Sequence, residues 1–142
     1  MREANLVKIV VASLTKQFGK ACYINKNHGS QFTSAGRPDL EGSIFGRHFG
    51  FELKSGSRFS KKQVEHLKRI TQSGGLGGGI VCHDNNVYYL TINQAANYSL
   101  RDKDKWTKIP LDRYLDFTFL FKYLHVFYLY YHGEHNVVLH QG

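Results

Sequence analysis

Cysteine is scarce: Cys22 and Cys82 are the only two in 142 residues. They lie far apart and outside any CxxC or Cys/His ligand spacing, so neither a disulfide framework nor a zinc site is indicated, and two buried, reduced thiols are expected. The chain lacks a charged-then-apolar leader, because Met1-Arg2-Glu3-Ala4-Asn5 runs into a segment that carries Lys8 and Lys16. It also lacks an uninterrupted apolar run of the roughly 20 residues a membrane span requires. The most apolar stretch, Leu111 to Tyr131, is broken by Asp112, Arg113, Asp116, Lys122 and His125. Cytoplasmic residence without membrane attachment is therefore expected. The glycine-dense stretch from Gly74 to Gly79 has neither a GKS or GKT ending nor GxGxxG order, which argues against a nucleotide phosphate loop and for a flexible turn. The histidines, His132, His135 and His140 included, show no HExxH-type spacing; no aromatic-flanked motif of the RNA-binding kind appears, and no internal repeat.

Acidic residues are also few. Eleven Asp and Glu face nineteen Lys and Arg, a net charge of +8. That surplus favours polyanionic partners such as nucleic acid, although a basic surface serving solubility alone fits the charge equally well. With 42% apolar residues the chain can bury a core of its own, and a single domain spanning residues 1–142 is expected.

From Asn5 to Phe18, Leu6, Ile9, Val10, Leu14 and Phe18 recur at helical steps and predict an amphipathic helix. If it starts early, Glu3 lies along its buried face or rim; the helix dipole alone would also favour a glutamate there. Ala21 to Ile24 has strand character, and the polar loop from Asn25 to Arg37 follows. Pro38 to Phe45 and Arg47 to Lys54 alternate apolar with polar or small residues and form a hairpin candidate turning at Gly46. Ser60 supplies an N-cap for a short basic helix in which Val64, Leu67 and Ile70 repeat, ended by Gly74-Gly75. Ile80 to His83 and Val87 to Ile92 flank a polar turn, the pattern of a further strand pair. Beyond Leu100 a charged patch leads through Trp106 into the aromatic segment Tyr114 to Tyr131, whose spacing suits strand and helix equally. Its aromatic excess suits a dimer interface.

The chemically informative residues are Gly36-Arg37-Pro38-Asp39-Leu40 and, further on, Phe51-Glu52-Leu53-Lys54. In a strand, Glu52 and Lys54 project from one face, with Asp39 available from the neighbouring strand. Two carboxylates and a backbone carbonyl, that of Leu53, can hold a hard divalent cation while leaving positions for water and phosphate. Lys54 can then orient that water or stabilise charge developing on phosphorus. Read without further context, Asp39 is equally a turn residue and Glu52 with Lys54 an exposed cross-strand pair.

Pro38-Asp39, Glu52-x-Lys54 on the next strand and Gln63 on the following helix resemble the PD-(D/E)xK nuclease pattern. More narrowly, Gly36-Arg37-Pro38-Asp39-Leu40, Phe51-Glu52-Leu53-Lys54, the helix bearing Gln63 and Leu67, and Gly74-Gly75 resemble the VRR-NUC (virus-type replication-repair nuclease) family, a similarity covering residues 1–92. The resemblance implies an α/β, restriction-endonuclease-like core, a central mixed sheet flanked by helices; residues 93–142 lie outside it as an aromatic-rich C-terminal extension, whose aromatic excess suits a dimerisation element. It implies Mg2+ or Mn2+ held by Asp39, Glu52 and the Leu53 carbonyl, with Glu3 as a further ligand. Lys54 would stand at the attacking water and Gln63 near it. Small stand-alone members of the family resemble phage-type enzymes that act as homodimers on branched DNA such as four-way (Holliday) junctions, so a phage protein working inside a bacterial host is an expectation. Lys26, His28, Arg37, Lys61, Lys62 and Lys68, with Lys20, Arg47 and Arg69, could line a phosphate-binding surface. A nicking or restriction-like nuclease acting on duplex DNA, and a non-catalytic basic DNA-binding protein on the same fold, are the alternatives.

Overall fold

The structure is a computed structural model that describes residues 1–26 and 38–124. His28 and Arg37, and the part of the aromatic segment beyond Leu124, lie outside the described residues.

Six strands form one sheet in the order β1 (Cys22–Lys26), β2 (Leu40–Ile44), β3 (Arg47–Ser55), β4 (Leu76–His83), β5 (Asn86–Leu90) and β6 (Thr107–Ile109). Every neighbouring pair is antiparallel except β3 and β4, which are parallel. A parallel pair needs a crossover, and α2 (Lys61–Gln72) supplies it. Helix α1 (Glu3–Phe18) precedes the sheet, and α3 (Ile92–Ala96) with a 3-10 turn (Leu100–Lys105) links β5 to β6. This mixed sheet flanked by helices is the α/β architecture expected.

The sheet is coated on both faces. On one, the α1 stripe Leu6, Val10 and Leu14 packs on Phe49, Phe51 and Leu53 of β3 and on Ile80 and Tyr89. On the other, Val64 of α2 and Ala95 of α3, with Phe59 before α2 and Trp106 before β6, cover Val81, Tyr88 and Leu90. Successive side chains of β3 therefore divide between the two layers, and Glu52 and Lys54, which alternate with Phe51 and Leu53, point toward α2. The β2–β3 hairpin closes through Phe45 (φ 51°) and Gly46 (φ 82°), the positive-φ pair that matches the twist of a two-residue hairpin.

The glycine stretch departs from expectation. Gly74 and Gly75 do end α2, but Leu76 onward is the buried first half of β4 and not a flexible turn. The cause is close packing on both faces. A Cβ on Gly77 would stand 2.5 Å from the Leu67 carbonyl of α2, and one on Gly78 would run into the Tyr89 ring. Absent side chains let α2 approach the sheet at the point where it covers β3.

Both cysteines are free; Cys82 is buried as expected, whereas Cys22, on edge strand β1, is only half-buried, and burial pushes its thiol up to about 11. The chain after Thr91 adds β6 to the sheet and then turns back over α1. There Ser13 Oγ accepts from Leu115 N–H at 2.9 Å and Gln17 Oε1 from Phe117 N–H at 2.7 Å, giving irregular backbone its partners. Leu115, Phe117, Leu120, Phe121 and Leu124 enter the main core, the last three from or beside the short helix α4 (Leu120–Tyr123). Among the described residues, no helix is long and apolar enough to cross a membrane.

Candidate active site

The site begins where β2 starts and β3 outruns it. The two strands pair from Ile44 opposite Arg47 to Leu40 opposite Phe51, and there the ladder ends. Pro38 has no N–H to extend it, and its ring lies close over Gly50, 3.0 Å from where a Cβ would stand. Asp39 replaces the ladder with side-chain bonds. Its Oδ2 accepts from Leu53 N–H at 2.9 Å, and its own N–H donates to Glu52 Oε1 at 3.3 Å. The two carboxylates are thereby clamped side by side by the backbone of the strands that carry them.

Glu52 is 2% exposed, an extreme position for a carboxylate. It projects from β3 toward α2, where its Oε2 stands 3.7 Å from Nδ1 of His66, itself buried. Burial first, and then the neighbouring charge of Asp39, push the Glu52 carboxyl up to about 8, against the opposing influence of Asp39 N–H and of Lys54. A group so placed is costly to ionise alone and cheap to ionise beside a cation.

That chemistry fits a hard divalent ion. Among the described residues no group of three or more His, Cys, Asp or Glu is arranged to hold a metal, so a closed cage of the zinc type is not built here. Mg2+ and Mn2+ need less from the protein: one or two carboxylates, with water, carbonyl and substrate phosphate completing the shell. Asp39, Glu52 and the Leu53 carbonyl fit that requirement.

Lys54 leaves the same face of β3 as Glu52 and is half-buried, lining a groove of about 830 Å³ between α2 and α3. Gln63 sits in the first turn of α2, where its Oε1 accepts from Ser60 N–H at 2.8 Å while Ser60 Oγ accepts from Gln63 N–H, a capping box that fixes the helix start. Its side-chain oxygen is thus committed to the cap. Glu3 lies in the first turn of α1, on the opposite side of the sheet from Glu52, at the end where Ser55 Oγ donates to the Met1 carbonyl. Lys26 is exposed at the end of β1, opposite Leu40 and so beside Asp39. Lys61, Lys62 and Lys68 are exposed along α2, with Lys68 Nζ 4.0 Å from Glu65 Oε1.

Three participants escaped the sequence reading. His66 carries no ligand spacing, yet it stands on the rim of the α2 stripe formed by Val64, Leu67 and Ile70, which was the available signal. Arg58 and Tyr98 come from a connection and from the turn after α3, and only the fold brings them beside Lys54.

A comparison with protein-family models finds no match, and neither does a comparison with curated proteins. A solved structure similar to the chain is that of Hjc from Archaeoglobus fulgidus, a Holliday junction resolvase from an archaeal hyperthermophile. It is 11% identical, with the match covering 62% of this chain and 73% of that chain at a TM-score of 0.43.

Proposed function

We propose that the protein is a divalent-metal-dependent DNA endonuclease in which Asp39 and Glu52 hold Mg2+ or Mn2+ and Lys54 serves the attacking water. The observation that carries this reading is the clamp between Asp39 and Glu52, with the second carboxylate buried and pushed up to about 8 beside Lys54. A structural salt-bridge pair would lie in solvent and gain nothing from a second carboxylate at its side. The Leu53 carbonyl completes the protein's share of the ligands; Glu3, carried by α1 on the other face of the sheet, would join them only by reaching round the strand ends near Ser55.

When bound, the cation polarises the scissile phosphate and lowers the pKa of a coordinated water, which is the chemistry phosphodiester hydrolysis needs at neutral pH. The chain's own residues do the rest. Lys54 orients the nucleophile and stabilises the charge that develops on the phosphorus oxygens. Gln63 supports it through its amide nitrogen. Lys26, His28, Arg37, Lys61, Lys62 and Lys68 neutralise backbone phosphates on either side.

The ordered motif from Gly36 to Gly75 supports placing the chain with the VRR-NUC nucleases, and with their small phage-type members that work inside a bacterial host. On that reading the preferred substrate is branched DNA such as a four-way junction. Paired nicks across a junction need two sites on two strands, so the active species is a homodimer, with residues 93–142 as its dimerisation element. The test is cleavage of labelled linear duplex, single strand, flap and four-way junction with Mg2+, Mn2+ or EDTA, alongside the solution mass by light scattering. Metal-dependent cutting concentrated at the junction by a dimer is expected. Cutting of linear duplex at equal rate would move the reading to a general nicking or restriction-like nuclease, and binding without cutting under either metal would leave a non-catalytic DNA-binding protein.

A further inference from the structure

The groove beside Lys54 has a composition that a duplex phosphate backbone does not call for. Four cations, Lys54, Arg58, Lys61 and Lys68, face the single carboxylate Glu65 around it. Phosphate binding accounts for those charges. It does not account for the wall and floor between them, which are aromatic and apolar. Phe59 is buried at the base. Tyr98 stands above it, its ring 6.3 Å from Phe59 at 74° and 5.2 Å from Trp106 at 34°. Trp106 is in turn fixed edge-on against Tyr88 of β5 at 5.6 Å. Tyr98 is therefore a partly exposed ring held rigid from behind, with its remaining surface on the groove. Arg58 lines the same groove as Tyr98.

A rigid aromatic surface flanked by cations is the arrangement that receives an unpaired base, the ring stacking on the base while the cations meet its phosphates. A paired base keeps its faces inside the duplex stack and has no use for such a surface. The volume of about 830 Å³ is in the range of clefts that enclose a ligand of nucleotide size.

We propose that the groove between α2 and α3 is a subsite for an unpaired nucleotide adjoining the scissile phosphate, with Tyr98 as its stacking platform and Arg58, Lys61 and Lys68 as its phosphate contacts. The inference rests on the nuclease reading only for the word scissile: Lys54 belongs to both the groove and the catalytic cluster, so a base held on Tyr98 is next to the phosphate that Lys54 serves. The substrate class that follows is DNA with a single-stranded or extrudable nucleotide at the cut, such as a flap, a frayed end or a branch point.

The test is equilibrium binding in EDTA, read by fluorescence anisotropy, with blunt duplex and with the same duplex bearing a short single-stranded flank. A second readout is the quenching of a 2-aminopurine placed at the first unpaired position. Wild type is expected to bind the flanked DNA more tightly and to quench the probe. Tyr98→Ala should weaken binding of the flanked DNA by roughly tenfold, leave blunt duplex unaffected and abolish the quench. Tyr98→Phe keeps the ring and should keep all three, which also guards against loss of fold in the alanine variant. Arg58→Ala should lower affinity for both DNAs and reduce the salt slope by about one. Equal affinity for the two DNAs, or a quench that survives Tyr98→Ala, overturns the subsite and makes the groove a duplex-backbone contact. No binding to either DNA overturns it as well. Because metal is absent, the outcome is independent of turnover: a flank preference without any Mg2+-dependent cleavage keeps the subsite and sinks the nuclease reading, and the reverse does the opposite.

Discussion

Glu52 is folded into a place where its ionised form is disfavoured, and that has a measurable consequence for stability. Its folded value of about 8 lies above the ordinary 4.5, so between those two pH values the native chain retains a proton that the unfolded chain has released. The linkage sign follows: the contribution to stability is full below about 4.5 and is lost as pH rises through about 8. The metal-free protein should therefore melt at a progressively lower temperature from pH 5.5 to pH 8 in EDTA. Glu52→Gln, which cannot ionise, should flatten that slope and melt above wild type at pH 8; parallel slopes for the two proteins in circular dichroism melts would refute the account of this carboxyl. Mg2+ should oppose the loss, raising the wild-type melting temperature more at pH 8 than at pH 6, because binding requires the proton to leave. The juxtaposition of Glu52 and Lys54 was legible at this scale because strand geometry alone puts them on one face. The His66 contact was not, since a helix rim does not announce which strand residue lies beneath it, and neither was the commitment of Gln63 Oε1 to Ser60 N–H.

At the scale of elements, the hairpin, α1 and α2 were all carried by periodicity and by turn chemistry, and their buried faces fall on the residues whose spacing indicated them. The start of β4 was hidden because glycine's local preference speaks for a turn, while the reason for glycine there is tertiary. That distinction is testable. In an open strand Gly77→Ala would stabilise by reducing the freedom of the unfolded chain. Here the added methyl meets the Leu67 carbonyl at 2.5 Å, backbone that can yield only if α2 moves, and a loss of about 1–3 kcal/mol in urea unfolding is expected. An unchanged or raised midpoint would mean that α2 does not sit on β4 as closely as described. The aromatic segment resisted reading for a related reason. Residues 110–119 are largely irregular backbone whose partners come from Ser13 and Gln17 of α1 and from turns within the segment, so neither a strand nor a helix period governs them.

For the whole molecule, the sheet is a scaffold that converts a short motif into a site at one edge. β3 outruns β2, Asp39 fills the gap, α2 covers Glu52, and the same helix lays Lys61 and Lys68 along the groove into which Lys54 opens. The excess of positive charge over the chain, +8, adds a long-range attraction for polyanions that falls with salt. On the proposed reading, affinity for DNA and the ability to cut it are separable, the first spread over many cations and the second concentrated in Asp39, Glu52 and Lys54. The most direct measurement exploits that separation: the cleavage rate of labelled DNA under saturating protein with Mg2+, for wild type, Asp39→Asn and Lys54→Ala, each with its DNA affinity determined in EDTA. Asp39→Asn keeps the size of the side chain and an oxygen for Leu53 N–H while removing the charge that a cation needs. The account predicts undiminished binding in that variant with cleavage reduced to background, and a drop on the order of 10²–10³ for Lys54→Ala. Cleavage by Asp39→Asn at the wild-type rate would contradict the placement of the active site.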